Sequence, residues 1–224
     1  MRAPRYPAID VLHEDDDIVV INKPPGLLTS TVPHEKRPTA IAFLRDRAGK
    51  ENPRARVGVI HRLDRDASGL LVFSKNPGAY RALKEQFVKH SVKRIYMAVV
   101  EGELDPREGI IKTRLVEHVD GTVHSTGRGD SGEEAITHYK TIRTDHLISL
   151  LRVTLETGKK HQIRAHLSER GHPVLNDPMY AKGKPTGQLM LCAVELHLNH
   201  PRTKKRMRFQ IQLPRRMAEK LRQQ

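Results

Sequence analysis

One short segment groups acidic, basic and imidazole side chains between two apolar stretches. It runs from Gly58 to Val72 and contains His61-Arg62-Leu63-Asp64 followed by Arg65-Asp66. Connections between rigid elements commonly present reactive groups. A neighbouring guanidinium favours the ionised form of a carboxyl group and orients it. The segment therefore contains groups that could take part in a reaction, although an isolated Asp-Arg pair such as Asp64 and its neighbours more often serves as a structural ion pair.

A second segment places polar groups at the predicted start of a helix. Residues 155–167 end a strand, turn at Gly158 and begin a helix that carries His161, Gln162, Arg164 and His166. The N-terminus of a helix with basic side chains attracts phosphate or carboxylate groups. Considered alone, this segment predicts an anion-binding site.

Other familiar chemistries lack their required residues. Thr157-Gly158-Lys159-Lys160 resembles part of a phosphate-binding loop, but the upstream Gly is Val153 and no Ser or Thr follows Lys159. His161 and His166 are five positions apart and the chain has one cysteine, which disfavours a zinc site. No Gly-x-Ser-x-Gly elbow is present, and Arg128-Gly129-Asp130 is interpreted as a chance match. We predict no metal, no nucleotide cofactor and no other cofactor.

The charge balance indicates a polyanionic partner. The 224 residues include 40 Lys and Arg against 26 Asp and Glu, a net charge of +14. Basic side chains gain affinity for nucleic acid by displacing counterions from phosphates. A soluble basic protein without a particular partner is the alternative, and a membrane is disfavoured because no basic amphipathic stretch carries a large apolar face. Between residues 202 and 222, nine basic residues face one acid, Glu219: Arg202, Lys204, Lys205, Arg206, Arg208, Arg215, Arg216, Lys220 and Arg222.

The remaining composition predicts a cytoplasmic protein of a single domain. Cys192 is the only cysteine, so it cannot form an internal disulfide and suits a reducing compartment. No stretch has the length and apolarity of a signal peptide or a membrane-spanning helix. We expect one domain over residues 1–224 and a monomer.

Hydrophobic patterning predicts more strands than helices, in consecutive groups, as in an α+β fold with a mixed, largely antiparallel sheet flanked by helices. Helices are expected at Thr39–Arg47, from Asn76-Pro77 to His90, at His161–Arg170 and from Arg216, and a loop at Val119–Glu133. Within the second of these helices, Tyr80, Leu83 and Phe87 share one face. The predicted strands are Ile18–Ile21, Leu70–Ser74, Arg94–Glu101, Ala135–Arg143, Ile148–Leu155, Met190–Leu198 and Met207–Leu213.

The two polar segments, with motifs along most of the chain, resemble the RluA family of pseudouridine synthases, which act on uridines in ribosomal and transfer RNA. His61-Arg62-Leu63-Asp64 with Ser68-Gly69-Leu70 matches the catalytic-loop motif, the most specific of the set. The other matches are Lys23-Pro24-Pro25-Gly26, Arg94-Ile95-Tyr96-Met97-Ala98, and a late motif of Thr157-Gly158, His161-Gln162-Ile163-Arg164, His166, Gly171-His172-Pro173, Asp177 and Tyr180.

The resemblance implies the pseudouridine synthase fold and RNA uridine isomerisation with a flipped-out target base. We expect residues 1–224 to form the catalytic domain alone, without the separate N-terminal RNA-binding domain that many relatives carry. It implies Asp64 as the essential carboxylate, Tyr96 packed on the target base and Arg164 paired with Asp64. Arg62 is implied to hold the target nucleotide out of its stack, and the other substrate-binding candidates are His61, Lys23, His161 and Gln162. The carboxylate can attack or stabilise C1′, or act as a base at the sugar, and the sequence does not choose between these roles.

Departures from the family pattern are Asn176 before Asp177, Cys192-Ala193 near the last strands, and Lys159-Lys160 in place of Arg-Thr or Arg-Ser. These positions bear on substrate choice more than on chemistry. A non-catalytic RNA-binding protein would explain the charge, but it gives no reason for Asp64 among arginines. An Asp- and His-dependent RNA hydrolase would explain His61 and Asp64, but not the strand that carries Tyr96.

Overall fold

A computed structural model describes residues 6–31, 37–51, 56–126 and 131–222 of the chain. The tripeptide Arg128-Gly129-Asp130 lies outside these residues. The elements in chain order are β1 (Asp10–Glu14), β2 (Ile18–Lys23), α1 (Ala40–Glu51), β3 (Gly58–Val59), β4 (Ser68–Ser74), α2 (Pro77–Val88), β5 (Lys93–Glu101), β6 (Glu108–Glu117), β7 (Val123–Ser125), β8 (Glu133–Thr144), β9 (Ile148–Leu155), α3 (Gln162–Glu169), β10 (Leu191–Asn199), β11 (Arg206–Gln210) and α4 (Arg215–Lys220).

The chain divides into two compact units. The first contains Met1–Val92 and Glu195–Ile211, and the second contains Lys93–Val194 and Gln212–Gln224. The prediction that residues 1–224 form one domain stays a prediction. Among the described residues, no helix has both the length and the apolar character needed to cross a bilayer.

In the first unit, antiparallel strands surround an aliphatic core. β2 pairs with β1 and β4, β3 pairs with β4, and the Glu195–Asn199 part of β10 pairs with β11. Ile18, Val72 and Leu83 are fully buried in this core. β-Branched and aliphatic residues suit strands with both faces covered, which explains the continuous apolar run of β2.

Helix α2 begins as the sequence predicts. The Asn76 side chain accepts a hydrogen bond from the backbone N–H of Ala79 (2.8 Å), and Pro77 occupies the first helical position. This cap satisfies one of the N–H groups that a helix start leaves without a partner. On the face that Tyr80, Leu83 and Phe87 were predicted to share, Leu83 is fully buried and Tyr80 is 40% exposed. Tyr80 instead covers Gly58, where a Cβ atom would come within 2.7 Å of its ring.

The second unit is built on an antiparallel sheet in the order β5-β9-β8-β6-β7. Helix α3 contributes Ala165 to a core with Leu115, Val123 and Ala135, against which Tyr180 packs. Every strand and helix predicted from the sequence is present, which confirms the α+β fold. Strands β1, β3, β6 and β7 were not predicted. The sequences of β1 and β6 mix charged and apolar residues, and β3 and β7 have only two and three residues. The predicted loop Val119–Glu133 contains β7 and the first residue of β8, so it is wrong for those residues.

Candidate active site

Asp64 lies in the connection between β3 and β4, and the backbone on both sides of it is anchored. Before it, the Thr29 hydroxyl accepts from Leu63 N–H (3.2 Å) and donates to Leu63 C=O (3.0 Å). After it, the Arg65 carbonyl accepts from Gly26 N–H (2.9 Å) and from Lys23 Nζ (2.9 Å). Asp64 itself is half-buried. The turn that follows β2 therefore fixes the position of the predicted catalytic carboxylate.

The Lys23 side chain is fully buried, yet its ammonium donates hydrogen bonds to backbone carbonyl oxygens. In addition to Arg65, Nζ donates to Leu27 C=O (2.7 Å) and Pro24 C=O (3.0 Å). An ammonium has three donors, and burying one without partners costs several kcal/mol. These three carbonyls therefore explain how the charge is tolerated. A direct substrate contact by Nζ would require one of these bonds to break.

Two glycines in the family motifs have backbone conformations that other residues rarely adopt. Gly26, which ends Lys23-Pro24-Pro25-Gly26, has φ +82°, and Gly69 has φ +111°. Gly69 stands opposite Lys23 in the register of β2 and β4. The early motif and the catalytic-loop motif thus meet at one place in the first unit, where L side chains would be strained.

The other residues of the catalytic loop differ in how strongly they are held. Val72 N–H donates to His61 Nε2 (3.2 Å), and the His61 ring stacks on Phe87 with centroids 4.8 Å apart. Because a backbone N–H can only donate, Nε2 is the acceptor in this bond. Arg62 is exposed. The predicted substrate contacts of His61 and Arg62 stay predictions.

In the second unit, Tyr96 is buried on β5, two residues after the buried Arg94. Arg94 Nη2 donates to Glu156 C=O (2.9 Å). Burial lowers the pKa of the Arg94 guanidinium, and an electrostatic interaction with Tyr96 opposes that shift. A Cβ atom at Gly158 would lie 2.2 Å from Arg94 Nη1, so glycine there gives the guanidinium its space. Arg94 was expected only as part of the tyrosine motif, and its packing against Gly158 was not predicted.

Arg164 forms a buried two-bond ion pair within its own unit. Nε donates to Asp177 Oδ2 (2.7 Å) and Nη2 donates to Asp177 Oδ1 (2.8 Å). Asp177 Oδ1 also accepts from Met179 N–H (3.0 Å) and Tyr180 N–H (3.1 Å). This fork fixes the plane of the guanidinium. Asp177 was expected only as a motif residue and not as the partner of Arg164. The predicted pairing of Arg164 with Asp64 stays a prediction.

The two residues at the start of α3 have different surroundings. His161 is half-buried, and its Nδ1 lies 3.1 Å from the Tyr180 hydroxyl. Gln162 is buried, and protein groups occupy both ends of its amide. Its oxygen accepts from the Thr157 hydroxyl (2.8 Å) and Lys159 N–H (3.0 Å), and its nitrogen donates to Ile136 C=O (3.0 Å) and the Thr137 hydroxyl (2.9 Å). A substrate contact by Gln162 would require these bonds to break.

Comparison with known proteins decides the family. A family model described as RNA pseudouridylate synthase matches residues 17–169. The chain belongs to the RluA family of RNA pseudouridine synthases. Members of this family are isomerases with RNA substrates.

Its relatives include enzymes named for the ribosome. Over 94% of this chain and 71% of the relative, it is 35% identical to YlyB of Bacillus subtilis, named an uncharacterized RNA pseudouridine synthase. It is 34% identical to ribosomal large subunit pseudouridine synthase D of Zymomonas mobilis, over 92% of this chain and 69% of that one. The solved structure of human RNA pseudouridylate synthase domain containing 4 superposes with a TM-score of 0.79 at 24% identity, covering 95% of this chain and 91% of that one. This structural match confirms the predicted pseudouridine synthase fold.

One cluster in this pseudouridine synthase has the ligand types of a metal site. Oxygen and nitrogen atoms of Asp15, Asp17 and His200 lie within 4.8 Å of one another. However, Arg202 Nε donates to Asp17 Oδ2 (2.6 Å), and the Asp15 carboxylate contacts both His200 (3.1 Å) and His13 (2.8 Å). A cation there would displace a guanidinium, so the cluster is explained as an ion-pair network between the β1–β2 and β10–β11 hairpins.

The basic residues between positions 202 and 222 are divided between the two units. Several of these charges are already opposed by acids: Arg202 contacts Asp16 and Asp17, Arg208 contacts Glu195, and Arg215 contacts Glu219. Lys204, Lys205 and Arg206 lie at the turn that joins β10 to β11 and are exposed. The predicted phosphate-binding surface therefore stays a prediction, centred on this turn.

Proposed function

We propose that this chain converts uridine to pseudouridine in ribosomal RNA, with Asp64 as the essential carboxylate. The observation that carries the proposal is the double anchoring of the backbone around Asp64 by Thr29 and Lys23. A catalytic group must be held in a productive position before its substrate arrives. Ribosomal RNA is proposed because relatives over most of the chain bear the name ribosomal large subunit pseudouridine synthase. Transfer RNA is the alternative substrate of the same family.

The reaction rearranges bonds without changing the composition of the nucleotide. The N1–C1′ bond breaks, the uracil turns, and a C5–C1′ bond forms. C5 then loses its proton and N1 gains one, so no oxidant or reductant is consumed. Asp64 can add to C1′ as a nucleophile or remove a proton at the sugar while the uracil leaves, and both roles require an ionised carboxylate.

Arg164 is proposed to hold Asp64 in its ionised form and in one orientation. Its guanidinium is itself immobilised by Asp177, which supports a positioning role for both residues. Tyr96 is proposed to pack on the uracil and to assist removal of the C5 proton. The electrostatic interaction of Arg94 with Tyr96 supports this step, because a neighbouring cation stabilises a phenolate that forms.

Reaching a uridine in folded RNA requires it to leave its stack, which costs a few kcal/mol. Arg62, exposed and two residues before Asp64, is proposed to occupy the space that the target nucleotide leaves. Lys23 and Gln162 are proposed as positioning residues, because protein groups occupy their polar atoms. The proposal includes a cytoplasmic monomer without a nucleotide cofactor, in keeping with a single buried cysteine and a redox-neutral reaction.

The test is to map pseudouridine by carbodiimide stops after incubating the protein with ribosomal RNA from a strain that lacks it. Asp64→Asn is expected to abolish modification while RNA affinity stays within about threefold. Asp16→Asn is the matched control, since Asp16 is 88% exposed in the same unit. Modification by Asp64→Asn would overturn the catalytic assignment. RNA binding without modification by the wild-type protein would favour a non-catalytic RNA-binding function.

A further inference from the structure

Four aromatic rings form a row along one surface of the second unit, and we call them the ring row: His118, His124, Tyr180 and His161. The centroids of neighbouring rings are 5.1, 6.2 and 5.7 Å apart in that order. The contacts are tilted or edge-to-face, so no ring of the row is covered by a parallel neighbour within it. His118 and His124 are exposed, while Tyr180 and His161 are half-buried.

The hairpin of β6 and β7 that carries the first two rings is fixed to its surroundings. The Tyr180 hydroxyl accepts from Val123 N–H (2.7 Å) and also contacts His161 Nδ1 (3.1 Å). At the end of the hairpin, the Glu169 carboxylate accepts from the backbone and the hydroxyl of Ser125. These bonds join the hairpin to both ends of α3, so the row is held in place before any ligand binds.

A basic side chain lies beside the row. Lys160 precedes His161 directly, and its ammonium forms an ion pair with Glu117 of β6. Its Nζ lies near the hairpin turn, 3.6 Å from the position of a Cβ atom at Gly121. Exposed ion pairs of this kind contribute about 0–1 kcal/mol. A phosphate can therefore replace the Glu117 carboxylate at little cost.

The row also lies next to a residue of the proposed chemistry. The guanidinium carbon of Arg164 is 5.0 Å from the centroid of the Tyr180 ring. Ring faces bind unstacked bases of any sequence, and a cation beside them binds the backbone. In a duplex the base pairs above and below cover the faces of each base, so a row of rings favours unpaired RNA over a duplex.

We propose that the ring row and Lys160 bind an unpaired RNA segment adjacent to the target uridine, with bases on the rings and a phosphate on Lys160. This inference rests on the proposed function, because it assigns the substrate a bulge, loop or opened strand at that place. It also gives Lys159-Lys160, which departs from the family pattern, a part in substrate choice.

The experiment measures dissociation constants by fluorescence anisotropy for a labelled single-stranded oligouridine and a blunt RNA duplex. The double variant His118→Ala/His124→Ala is expected to bind the single strand roughly tenfold more weakly and the duplex less than twofold more weakly. His146→Ala is the matched control, an imidazole that is 82% exposed in the same unit.

Two further variants test the phosphate contact. Lys160→Gln is expected to reduce the slope of log affinity against log salt by about one, and Glu117→Gln is expected to tighten single-strand binding by freeing Lys160. Unchanged single-strand affinity in the double histidine variant, or an equal loss for the duplex, would overturn the ring-row proposal. Because binding is measured without turnover, its outcome is separate from the test of Asp64. Single-strand binding that depends on the ring row, together with absent modification, would sink the proposed function alone.

Discussion

The Nζ atom of Lys23 lies 2.9 Å from the carbonyl oxygen of Arg65, the residue that follows Asp64. This bond connects the end of β2 directly to the backbone of the proposed catalytic residue. The lysine is completely buried, so it acts through the loop and not through solvent. The early Lys-Pro-Pro-Gly motif is thereby explained as the support of a carboxylate that is about forty residues later in the sequence.

Replacing Lys23 should separate catalysis from RNA binding. Lys23→Met keeps the length of the side chain but leaves the three carbonyls of Pro24, Leu27 and Arg65 without their shared donor. We expect the free energy of unfolding to fall by about 2–4 kcal/mol. The single-turnover rate should fall at least tenfold, while the RNA dissociation constant changes less than twofold. Urea unfolding and rapid-quench kinetics measure the two effects.

Lys75→Met is the control for this change, because Lys75 forms a half-buried ion pair with Glu14 in the same unit, away from the Asp64 loop's backbone bonds. Its rate should match the wild type. A Lys23→Met protein that is destabilised but reacts at the wild-type rate would show that the lysine supports the fold alone.

Asp177 is predicted to matter because it fixes Arg164. In Asp177→Asn, an amide nitrogen replaces one of the two carboxylate oxygens, and it cannot accept a hydrogen bond from the Arg164 guanidinium. We expect a 10- to 100-fold lower single-turnover rate, with RNA affinity within about threefold. Arg164→Lys should show a similar loss, because an ammonium lacks the planar fork. A wild-type rate in Asp177→Asn would contradict the positioning role.

Local structure could be predicted from the sequence where a residue pattern has a single common structural role. Asn76-Pro77 predicted a helix start, and the cap bond to Ala79 confirms it. Lys23 and Gln162 were predicted to bind substrate, because polar residues in a family motif are equally compatible with substrate contact and with internal support. Arg65, which accepts from Lys23, is 42 residues away in the sequence. Ile136 and Thr137, which accept from Gln162, are 26 and 25 residues away, and no spacing in the sequence identifies such partners. Strand β6 was missed because its solvent-facing positions carry Lys112 and Arg114 and so interrupt the apolar pattern.

Gly158 is predicted to be required for stability and activity because it has no side chain. A methyl group there would displace the guanidinium of Arg94, a residue that precedes Tyr96 by two positions on β5. Gly158→Ala should therefore lower both the free energy of unfolding, by about 1–3 kcal/mol, and the rate of modification. Gly49→Ala is a control with the opposite expected effect. Outside the backbone of α1 itself, no atom lies within 4 Å of the added carbon. The substitution should therefore raise the free energy of unfolding by up to about 1 kcal/mol. Equal stability of the two variants, by thermal unfolding, would contradict this account of the glycine.

The turn between β10 and β11 is predicted to contribute to RNA affinity through charge. Neutralising Lys204, Lys205 and Arg206 to glutamine should flatten the plot of log affinity against log salt by up to about three. Arg202→Gln should flatten it less, because Asp16 and Asp17 already oppose that charge. Anisotropy titrations at several salt concentrations measure both slopes. An unchanged slope in the triple variant would locate the phosphate contacts elsewhere on the protein.

His166 should make the fold sensitive to mild acid. Its ring is buried, with its two nitrogens 2.9 Å from the hydroxyls of Thr113 and Thr137. Desolvation lowers the pKa of His166 from 6.5 to about 4, and the charges of Glu169 and Arg170 act on it in opposite directions. Between these two values the unfolded chain binds the proton and the folded protein does not.

The contribution of His166 to stability is therefore complete above pH 6.5 and is lost as the pH falls toward 4. Within that window, the slope of the free energy of unfolding against pH approaches about 1.4 kcal/mol per pH unit. Urea unfolding at pH 7, 6 and 5 measures it. His166→Gln keeps hydrogen-bonding atoms between the two threonines but does not titrate, so its stability should fall less steeply with acid than that of the wild type. Parallel slopes in the wild type and His166→Gln would rule out the buried imidazole as the source.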